Sequence, residues 1–339
     1  MNMLMIWMLP IYFAGCVTSS FISKPGELHI VGSKNLTLSF DEFIKKFNKV
    51  YEDEAEYTRR FKIFRDNMRK IEKFTKEEKG TATYSITKFS DMEDKEYGRL
   101  LGYKKSPSKA QIARIEDIDV TDVPEEWDWR KKNAVTAVED QLYCGSCWDF
   151  SAVGTVESQW AINKGQLIEL SKQQLLDCDK LGNNCEGGNI YQAYEDIISM
   201  GGLEAEKDYP YLGVKSTCNF NDKRIKATIS SYHNLTQDEQ KIAAWVYRRG
   251  PVSIVLNDEA LRYYQQGIIR PTPDNCSPDL LNHATLIVGF GVETEGEEKI
   301  PYWIVKNSWG IDWGEQGYFR IYRGDNSCGM AEYVSTAIV

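Results

Sequence analysis

The segment Gln141–Ser151, with the sequence QLYCGSCWDFS, contains a cysteine, Cys147, in a position suited to nucleophilic chemistry. Apolar residues recur at helical spacing from Phe150 to Trp160, which predicts a helix that begins at Cys147 and ends at Gly165. The free N–H groups and the dipole of a helix N-terminus favour negative charge, so a thiol there ionises more readily, and the thiolate is the nucleophile. We therefore predict that Cys147 attacks a substrate.

Ser146 and Asp149 have the spacing of a capping box, in which two side chains satisfy free N–H groups at the start of a helix. We interpret Asp149 as this capping acid rather than as a catalytic group. Its negative charge near Cys147 is expected to raise the pKa of the thiol, so Asp149→Ala should lower that pKa.

A nucleophilic cysteine requires a base, and imidazole is the usual one. The chain has 3 histidines, of which His29 lies upstream of the expected cleavage point and His233 lies in the polar segment SSYHNLT. His283 begins the apolar, strand-like segment HATLIVGFG, and the end of a rigid strand is a suitable place for a catalytic group. We predict that His283 is the base; for any single histidine, a surface or satisfied core position is the alternative.

Asn307, in the segment NSWGIDWG, is predicted to orient the imidazole, with Trp309 covering the hydrogen bond between them. The alternative for this segment is a turn with two core tryptophans, and for Trp313 alone that is the better interpretation. A developing oxyanion requires hydrogen-bond donors, and the Gln141 side chain and the Cys147 backbone N–H are predicted to supply two.

Composition limits the possible partners and the compartment. The chain of 339 residues has room for two domains or one large one, and its net charge of −9 argues against nucleic acid or an anionic membrane as the main partner. Of its 8 cysteines, Cys16 lies in an N-terminal apolar stretch that is expected to be removed. The others suggest three disulfides and one free thiol in an oxidising compartment, without fixing the pairs.

The same apolar stretch predicts that residues 1–20 are a signal peptide, which would direct the chain into the secretory pathway, to a lysosome or out of the cell. A bacterial lipoprotein cleavage site at Cys16 is the alternative, and three glycosylation sequons disfavour it. The candidate glycosylation sites are Asn35, Asn234 and Asn275. No other stretch of the sequence is apolar enough to span a membrane.

Residues 38–51 and 52–79 are predicted to form two helices, the first with a capping box at Ser39 and Glu42, and Tyr84–Phe89 alternates like a strand. The polar residues 104–122 predict an exposed linker. Further helices are predicted around 171–178 and 238–249, and strands at 252–256, 284–291, 302–306 and 318–322, which suggest a small antiparallel sheet or barrel.

Three motifs, QLYCGSCW, NHA and NSWGIDWG, occur in the order found in the papain family of cysteine peptidases, which the chain resembles from about residue 38 to its C-terminus. The resemblance implies an α+β fold with a mainly helical lobe, an antiparallel β-barrel-like lobe and the active-site cleft between them. It also implies four catalytic roles: nucleophile for Cys147, ion-pair partner for His283, orienter for Asn307 and oxyanion donor for Gln141.

The resemblance further implies the disulfides Cys144–Cys185, Cys178–Cys218 and Cys276–Cys328. It implies a groove for the substrate backbone and a specificity pocket closed by Tyr333, whose bulk should shorten the pocket in favour of medium aliphatic side chains. The implied substrate-binding residues are Gly145, Gly187, Gly188, Ile190, Val255, Asn282, Ala284, Trp309, Trp313 and Tyr333.

The N-terminal part resembles the inhibitory propeptide of the same family. Five residues match its helical motif: Glu56, Arg60, Phe64, Asn67 and Ile71. The resemblance implies a propeptide and linker at residues 21–122 and a mature peptidase at 123–339, with the helical lobe at about 123–235 and the β-rich lobe at about 236–339. It implies a zymogen whose propeptide loses carboxylate contacts in acid before cleavage. The segments KFSD, WDWR and DEQK resemble the cathepsin F subfamily.

The implied function is a monomeric cysteine endopeptidase without a metal or organic cofactor. Its implied partners are protein and peptide substrates, its own propeptide and cystatin-type inhibitors, and neither nucleic acid nor a membrane is implied. The alternatives are a redox pair of Cys144 and Cys147, a zinc site, and a papain-like binding or inhibitory protein. The redox alternative leaves His283 and Asn307 unexplained, and the cysteines and histidines lack the spacing of zinc ligands.

Overall fold

The structure, a computed structural model, describes residues 33–105, 114–115, 118–182 and 184–339, with the side chains of 33–38 and 114–115 left out. The predicted signal peptide with Cys16, most of the predicted linker and the side chain of Asn35 lie outside these described residues. Among the described helices, none is long and apolar enough to cross a lipid bilayer.

The helices begin and end where local signals place them. Asp53, Ser171 and Asp238 each accept a backbone hydrogen bond at the start of a helix, and Gly165 and Gly201 end helices in the left-handed conformation. The described α-helices are α1 (Ser33–Lys46), α2 (Glu54–Glu77), α3 (Asp94–Tyr97), α4 (Cys147–Lys164), α5 (Lys172–Cys178), α6 (Ile190–Met200) and α7 (Glu239–Arg249).

The strands are mostly short, and the two longest, at residues 283–295 and 298–306, pair antiparallel in the β-rich half. The described strands are β1 (Thr83–Tyr84), β2 (Arg114–Ile115), β3 (Trp127–Asp128), β4 (Leu203–Glu204), β5 (Ile225–Ala227), β6 (Ser231–Leu235), β7 (Val252–Leu256), β8 (Tyr264–Gln266), β9 (Ile268–Ile269), β10 (His283–Glu295), β11 (Glu298–Lys306), β12 (Tyr318–Tyr322) and β13 (Val334–Ile338). A sheet of nine strands has the order β2-β6-β13-β7-β10-β11-β12-β9, and β3 also pairs with β10.

Two large hydrophobic cores hold the described structure together, and helix α4 belongs to one of them. One core joins α4, α5 and α6, and includes Val153, Leu175 and Ile197. The other fills the sheet-rich half around Trp303 and Phe319. This arrangement confirms the predicted α+β fold with a helical and a β-rich part.

Helix α4 is buried on nearly all of its faces, which explains why apolar and small residues occur all round it. The Ser151 hydroxyl donates to the Thr285 carbonyl of β10 at 2.7 Å, and the Ser253 hydroxyl of β7 donates to the Ser151 carbonyl at 2.8 Å. These bonds hold the N-terminus of α4, where Cys147 lies, against the start of β10, where His283 lies.

The N-terminal segment, residues 33–105, packs as a helical unit on the sheet-rich half. Phe40, Phe43 and Phe64 form a small core between α1 and α2. The Asn67 amide donates to the carbonyls of Ser90 and Met92, each at 3.0 Å, and thereby fixes the loop that follows α2.

Strand β1 of the same segment pairs antiparallel with β8 of the sheet-rich half, with Tyr84 opposite Tyr264. The Ser85 N–H donates to the Tyr263 carbonyl at 2.9 Å, next to this pair. These backbone bonds therefore attach the N-terminal segment to the sheet-rich half at Tyr84 and Ser85.

Several sequence predictions of local structure were wrong. Helix α1 begins at Ser33, so Ser39 is an interior residue and not an N-cap. Only Tyr84 of the predicted strand Tyr84–Phe89 lies in a strand, because the chain turns after it to wrap over the cleft. Helix α2 and strands β7 and β12 confirm the predicted elements closely.

The predicted capping box at the start of α4 was also wrong. Ser146 makes no side-chain capping bond, and its hydroxyl is instead 2.7 Å from the Tyr211 hydroxyl. Asp149 is 0% exposed, because the first turn of α4 is covered on all sides rather than facing water. The Ser146 hydroxyl binds the hydroxyl of Tyr211, which is 65 residues away in sequence, instead of a backbone N–H of the helix. Local spacing cannot reveal such a partner.

Candidate active site

Cys147 is the first residue of α4 and the free cysteine among the described residues. It is 0% exposed, and the N–H of Gly102 in the N-terminal segment donates to its Sγ at 3.3 Å. Burial raises the pKa of Cys147 to about 11, against the opposing effect of N–H bonds from Ala284, Gly102 and Trp148. The expected easy ionisation is therefore absent while the N-terminal segment covers the thiol.

His283 is the first residue of β10, and its Nε2 is 2.8 Å from Asn307 Oδ1. Because that oxygen only accepts, Nε2 carries the proton. His283 Nδ1 is buried without a hydrogen-bond partner in the described structure. Burial lowers the pKa of His283 to about 4, although the bond to Asn307 opposes the shift. The imidazole is therefore neutral in this state.

The orientation of the imidazole is set by two neighbours that the sequence predicted. Asn307 Oδ1 also accepts the Ser308 N–H at 2.8 Å, which fixes the amide. The Trp309 ring stacks on the imidazole with centroids 4.7 Å apart and covers it. Trp313 packs edge-on against Trp309 at 4.9 Å and is 1% exposed, so it supports Trp309 from behind.

The Gln141 amide points at the backbone of the N-terminal segment. Its Nε2 donates to the carbonyls of Leu100 and Cys144, each at 2.8 Å, and its Oε1 accepts from the Ser308 hydroxyl at 2.6 Å. The bond from Ser308 fixes which side of the amide donates. The donor predicted for an oxyanion is thus aligned and holds a peptide carbonyl.

The N-terminal segment crosses the cleft through backbone contacts around Gly102. The Gly188 N–H donates to the Gly102 carbonyl at 2.8 Å, and the Lys104 N–H donates to the Gly188 carbonyl at 2.8 Å. A Cβ on Gly102 would lie 1.7 Å from the Gly145 carbonyl oxygen, so only glycine fits there. The predicted groove glycines are brought together, and they bind a polypeptide backbone.

A sequence profile described as "Papain family cysteine protease" matches residues 123–338. The chain belongs to the papain family of cysteine proteases. A second profile, described as "Cathepsin propeptide inhibitor domain (I29)", matches residues 40–97. The N-terminal segment is therefore the propeptide of this family member, and it is called the propeptide below.

Relatives extend over most of this papain-family chain. Cathepsin F of Mus musculus is 43% identical over 309 residues, which cover 88% of this chain and 64% of that protein. Cathepsin W of Mus musculus is 39% identical over 319 residues, which cover 88% of this chain and 86% of that protein. Digestive procathepsin L2 proteinase from the Tenebrio molitor larval midgut has a TM-score of 0.81 at 30% identity, covering 90% of this chain and 100% of that structure. The chain thus spans less than two thirds of the length of mouse cathepsin F.

The three disulfides are the pairs that the family resemblance implies. They join Cys144 to Cys185, Cys178 to Cys218 and Cys276 to Cys328. Because Cys144 is bonded to Cys185, it is not the partner of a Cys144–Cys147 redox pair. The first disulfide also brings the Gly145 N–H to 3.0 Å from the Cys185 carbonyl, beside the groove glycines. Among the described residues no group of three His, Cys, Asp or Glu side chains is arranged to hold a metal ion.

The pocket at Tyr333 holds an aromatic ring of the propeptide. Tyr103 is 7% exposed, and its ring meets the Tyr333 ring edge-on at 5.6 Å. The Tyr333 ring stacks on Tyr191 at 4.5 Å, and its hydroxyl donates to Asn189 Oδ1 at 3.0 Å. A phenol ring of the propeptide therefore packs against Tyr333, and the preference of substrates for medium aliphatic side chains stays a prediction.

The remaining predicted pocket residues lie around this ring. Tyr103 belongs to the same hydrophobic cluster as Ile190, Val255 and Ala284. The Tyr103 N–H donates to the Asn282 carbonyl at 3.2 Å. Ile190, Val255 and Ala284 thus share a hydrophobic cluster with Tyr103, and Asn282 contacts its backbone.

Two of the sequons can be placed in the structure. Asn275 is 3% exposed, and its Nδ2 donates to Glu77 of the propeptide at 2.7 Å. A glycan on this nitrogen would have to displace that bond and leave a nearly buried site, so Asn275 is disfavoured in the zymogen. Asn234 lies in β6, between β2 and β13.

Sequence analysis missed a charged set on the other side of the site. The Tyr97 hydroxyl donates to the Asp258 carboxylate, and Asn282 Nδ2 donates to Asp258 Oδ1 at 2.9 Å. Arg262, 5% exposed, donates to Asp94 Oδ1 at 2.7 Å. These residues follow no motif: Asp258 and Asn282 are paired within the peptidase, and the propeptide adds Tyr97 and Asp94 where it crosses the cleft.

Proposed function

We propose that the chain is the zymogen of a cysteine endopeptidase that hydrolyses peptide bonds in proteins and peptides. The path of the propeptide carries the proposal, because a polypeptide backbone lies on the sulfur of Cys147, on the amide of Gln141 and along Gly188. A cleft that binds backbone beside a thiol, an imidazole and an aligned amide donor is suited to acyl transfer from a peptide.

The proposed reaction begins once the propeptide has left and water reaches the site. Removing the burial that holds Cys147 and His283 neutral favours a thiolate and imidazolium pair. The thiolate attacks the peptide carbonyl carbon, and the Gln141 amide and the Cys147 N–H stabilise the oxyanion. The C–N bond then breaks, His283 gives its proton to the leaving amine, and water hydrolyses the thioester with His283 as base.

Asn307 is proposed to keep the imidazole in one orientation throughout. Its Oδ1 accepts from Nε2, which leaves Nδ1 as the atom that exchanges a proton with the sulfur and with the leaving amine. Trp309 keeps water from the bond between His283 and Asn307. The proposed endopeptidase action rests on the absence from the sequence of a long insertion at 185–230 that would block one end of the cleft.

Activation is proposed to follow cleavage between residues 118 and 124 at acid pH, so that the mature enzyme is residues 123–339. The lobe boundary is proposed near residue 235, between the helical core and α7. Two ion pairs join the propeptide to the peptidase: Asp94 of the propeptide with Arg262, and Lys88 of the propeptide with Asp140. Protonation of the carboxylates weakens such pairs. A signal peptide, a lysosomal or secreted location, a monomeric state and inhibition by cystatin-type proteins complete the proposal.

Labelling with iodoacetamide tests the proposal. We expect the acid-processed protein at pH about 5.5 to be alkylated at Cys147 alone, with peptide hydrolysis lost in parallel, since an ordinary thiol is almost wholly protonated there. The unprocessed zymogen should react at least about tenfold more slowly, because burial keeps its thiol protonated. Processed protein with an unreactive Cys147 and no hydrolysis would instead indicate a papain-like binding protein.

A further inference from the structure

The propeptide marks two sides of the cleft. Tyr103 fills the pocket at Tyr333, and Gly102 covers the sulfur of Cys147. The residues before Gly102 continue on the opposite side, where the Tyr97 ring meets Trp309 edge-on at 5.9 Å. Since Trp309 stacks on His283, this second side adjoins the imidazole.

The leaving group of a substrate must lie on this second side. His283 gives its proton to the leaving amine, so the residues after the scissile bond extend from the imidazole towards Trp309. The groove there is lined by Tyr97, Gly98 and Leu101 of the propeptide, and by Asp258 and Asn282 of the peptidase. When the propeptide leaves, the peptidase side of this groove is uncovered.

Asp258 is fixed in this groove by the peptidase itself. Its Oδ1 accepts from Asn282 Nδ2 at 2.9 Å, and its own N–H donates to Asn282 Oδ1 at 3.0 Å. Asn282 immediately precedes His283, so this reciprocal pair holds the carboxylate beside the catalytic imidazole. Neither bond involves the propeptide, and both remain after activation.

The second oxygen of the carboxylate has a different partner. Asp258 Oδ2 accepts from the Tyr97 hydroxyl, which belongs to the propeptide. Asp258 is 2% exposed in the zymogen. Loss of Tyr97 therefore leaves a preoriented carboxylate oxygen without its donor, facing the leaving-group side.

We propose that Asp258 is a specificity-determining residue of the activated enzyme, whose carboxylate binds an arginine or lysine side chain of the substrate on the leaving-group side of the scissile bond. The inference rests on the proposed peptidase function. A cationic donor is favoured over a neutral one such as the phenol of Tyr97, because charge-assisted hydrogen bonds are about twice as strong.

Arg262 lines the same groove as Asp258 and is the cation with which a substrate side chain would compete after the propeptide has left. In the zymogen the Arg262 guanidinium is engaged by the propeptide, through Asp94 Oδ1 and the carbonyls of Phe89 and Met92. The titratable and charged groups that act on Asp258 are Tyr97, Glu259, Arg262 and Cys147. Burial raises the pKa of Asp258 to about 6 in the zymogen, and hydrogen bonds from Tyr97 and Asn282 oppose the shift. Uncovering the groove relieves part of the burial.

Internally quenched peptides that differ only in charge test the assignment. Each pair carries arginine or its neutral isostere citrulline at the first or second position after the scissile bond, and is cleaved by the acid-processed enzyme at pH about 6.5. We expect kcat/KM to favour arginine by about twofold to fivefold in one of the two pairs, the range of one exposed charge contact. In Asp258→Asn the ratio should fall to about one. In Asp279→Asn, which removes an exposed carboxylate from the loop before β10, the wild-type ratio should remain.

Two outcomes overturn the assignment: equal rates on arginine and citrulline peptides for the wild-type enzyme, or an unchanged preference in Asp258→Asn. A peptide aminomethylcoumarin amide, which has no residue on the leaving-group side, separates this failure from that of the proposed function. If the wild-type enzyme does not cleave the amide, the peptidase function fails and the inference fails with it. If Asp258→Asn does not yield mature enzyme, Asp258→Ser replaces it, and its ratio of kcat/KM for arginine over citrulline peptides is compared with that of the wild-type enzyme.

Discussion

One carboxyl group of the propeptide, Glu56, and one of the peptidase core, Asp149, have pKa values shifted in opposite directions. In the propeptide, hydrogen bonds from Arg59 and Arg60 lower the pKa of Glu56 to about 2. In the peptidase, burial raises the pKa of Asp149 well above its ordinary value, and neither of its oxygens has a hydrogen-bond partner in the described structure. The difference lies in the partners: Glu56 is paired with two arginines, whereas Asp149 is buried without a hydrogen-bond partner.

The sign of each effect follows from proton binding. Because the pKa of Glu56 is lowered on folding, its contribution to stability is present above the ordinary value of 4.5 and is lost as the pH falls towards about 2. Because the pKa of Asp149 is raised, the unfolded chain loses that proton first, and stability falls as the pH rises above the ordinary value of 3.8. A fall in pH from about 4.5 to about 2 therefore removes the contribution of Glu56, whereas a low pH favours the fold at Asp149.

Removing a buried cation should turn a paired carboxylate of the core into an unpaired one. Lys172, 1% exposed, lies 2.8 Å from Glu157 Oε1 and 2.5 Å from Glu139 Oε2. Burial raises the pKa of Glu157, but Lys172 and Lys306 outweigh it and the net shift is downward. We expect Lys172→Met to destabilise the protein by about 3–5 kcal/mol, the cost of leaving a buried charge without its partner.

Urea unfolding of this variant at pH about 7, in a Cys147→Ala background that prevents self-digestion, measures the change. The exposed Lys207 provides a matched control as Lys207→Met, for which we expect less than about 0.5 kcal/mol. If Lys172→Met also loses less than about 0.5 kcal/mol of unfolding free energy, the core tolerates Glu157 without its cation. Pairing would then not matter for Glu157 as it does for Asp149.

Replacing the unpaired carboxyl should remove the pH response of the core. We expect Asp149→Asn to have little effect at pH about 4 and to stabilise the protein at pH about 7 by up to about 4 kcal/mol, since one proton difference is worth about 1.4 kcal/mol per pH unit. Unfolding curves at both pH values, with the exposed Asp312→Asn as control, check this. Equal stability changes at the two pH values would show that Asp149 is ionised in the fold.

The burial of Asp149 also bears on the thiol. Since burial raises the pKa of Asp149, the carboxyl carries less negative charge near Cys147 than an exposed aspartate would; the effect of Asp149→Ala on the pKa of the thiol stays a prediction. Asp258 is the carboxyl whose charge raises the pKa of Cys147.

The smallest effect is expected in the propeptide. Arg60, with 17% of its side chain exposed, donates to Glu56 at 2.6 Å and to Glu96 at 2.8 Å. Arg60→Met should weaken the propeptide by about 1.5–3 kcal/mol, the value of hydrogen bonds to charged groups, and should raise the pH of half-maximal processing by about one unit. In Arg69→Met, which removes an exposed arginine of the same helix, the midpoint should stay in place. If the wild-type protein, Arg60→Met and Arg69→Met are processed with the same pH midpoint, protonation of Glu56 and Glu96 does not trigger processing.

Local elements were predicted well where one stretch of chain contains the cause. The helices predicted around 171–178 and 238–249 are α5 and α7, and β7 runs from Val252 to Leu256 as its apolar run predicts. Predictions were wrong at Ser146 and at Tyr84–Phe89. In both places a partner distant in sequence, Tyr211 in one case and the cleft in the other, decides the local structure.

Residue types and their spacing predict which groups can react and in what order they occur: a thiol, an imidazole, an amide orienter and an amide donor, on a chain in which Cys147 is the free cysteine of the described residues. Spacing and residue type carry that information because they are local properties of the chain. Only the tertiary structure decided the protonation of Cys147 and His283, the burial of Asp149, the aromatic occupant of the Tyr333 pocket and the position of Asp258. These depend on how much water reaches a group and on which distant side chains surround it, and folding alone sets both.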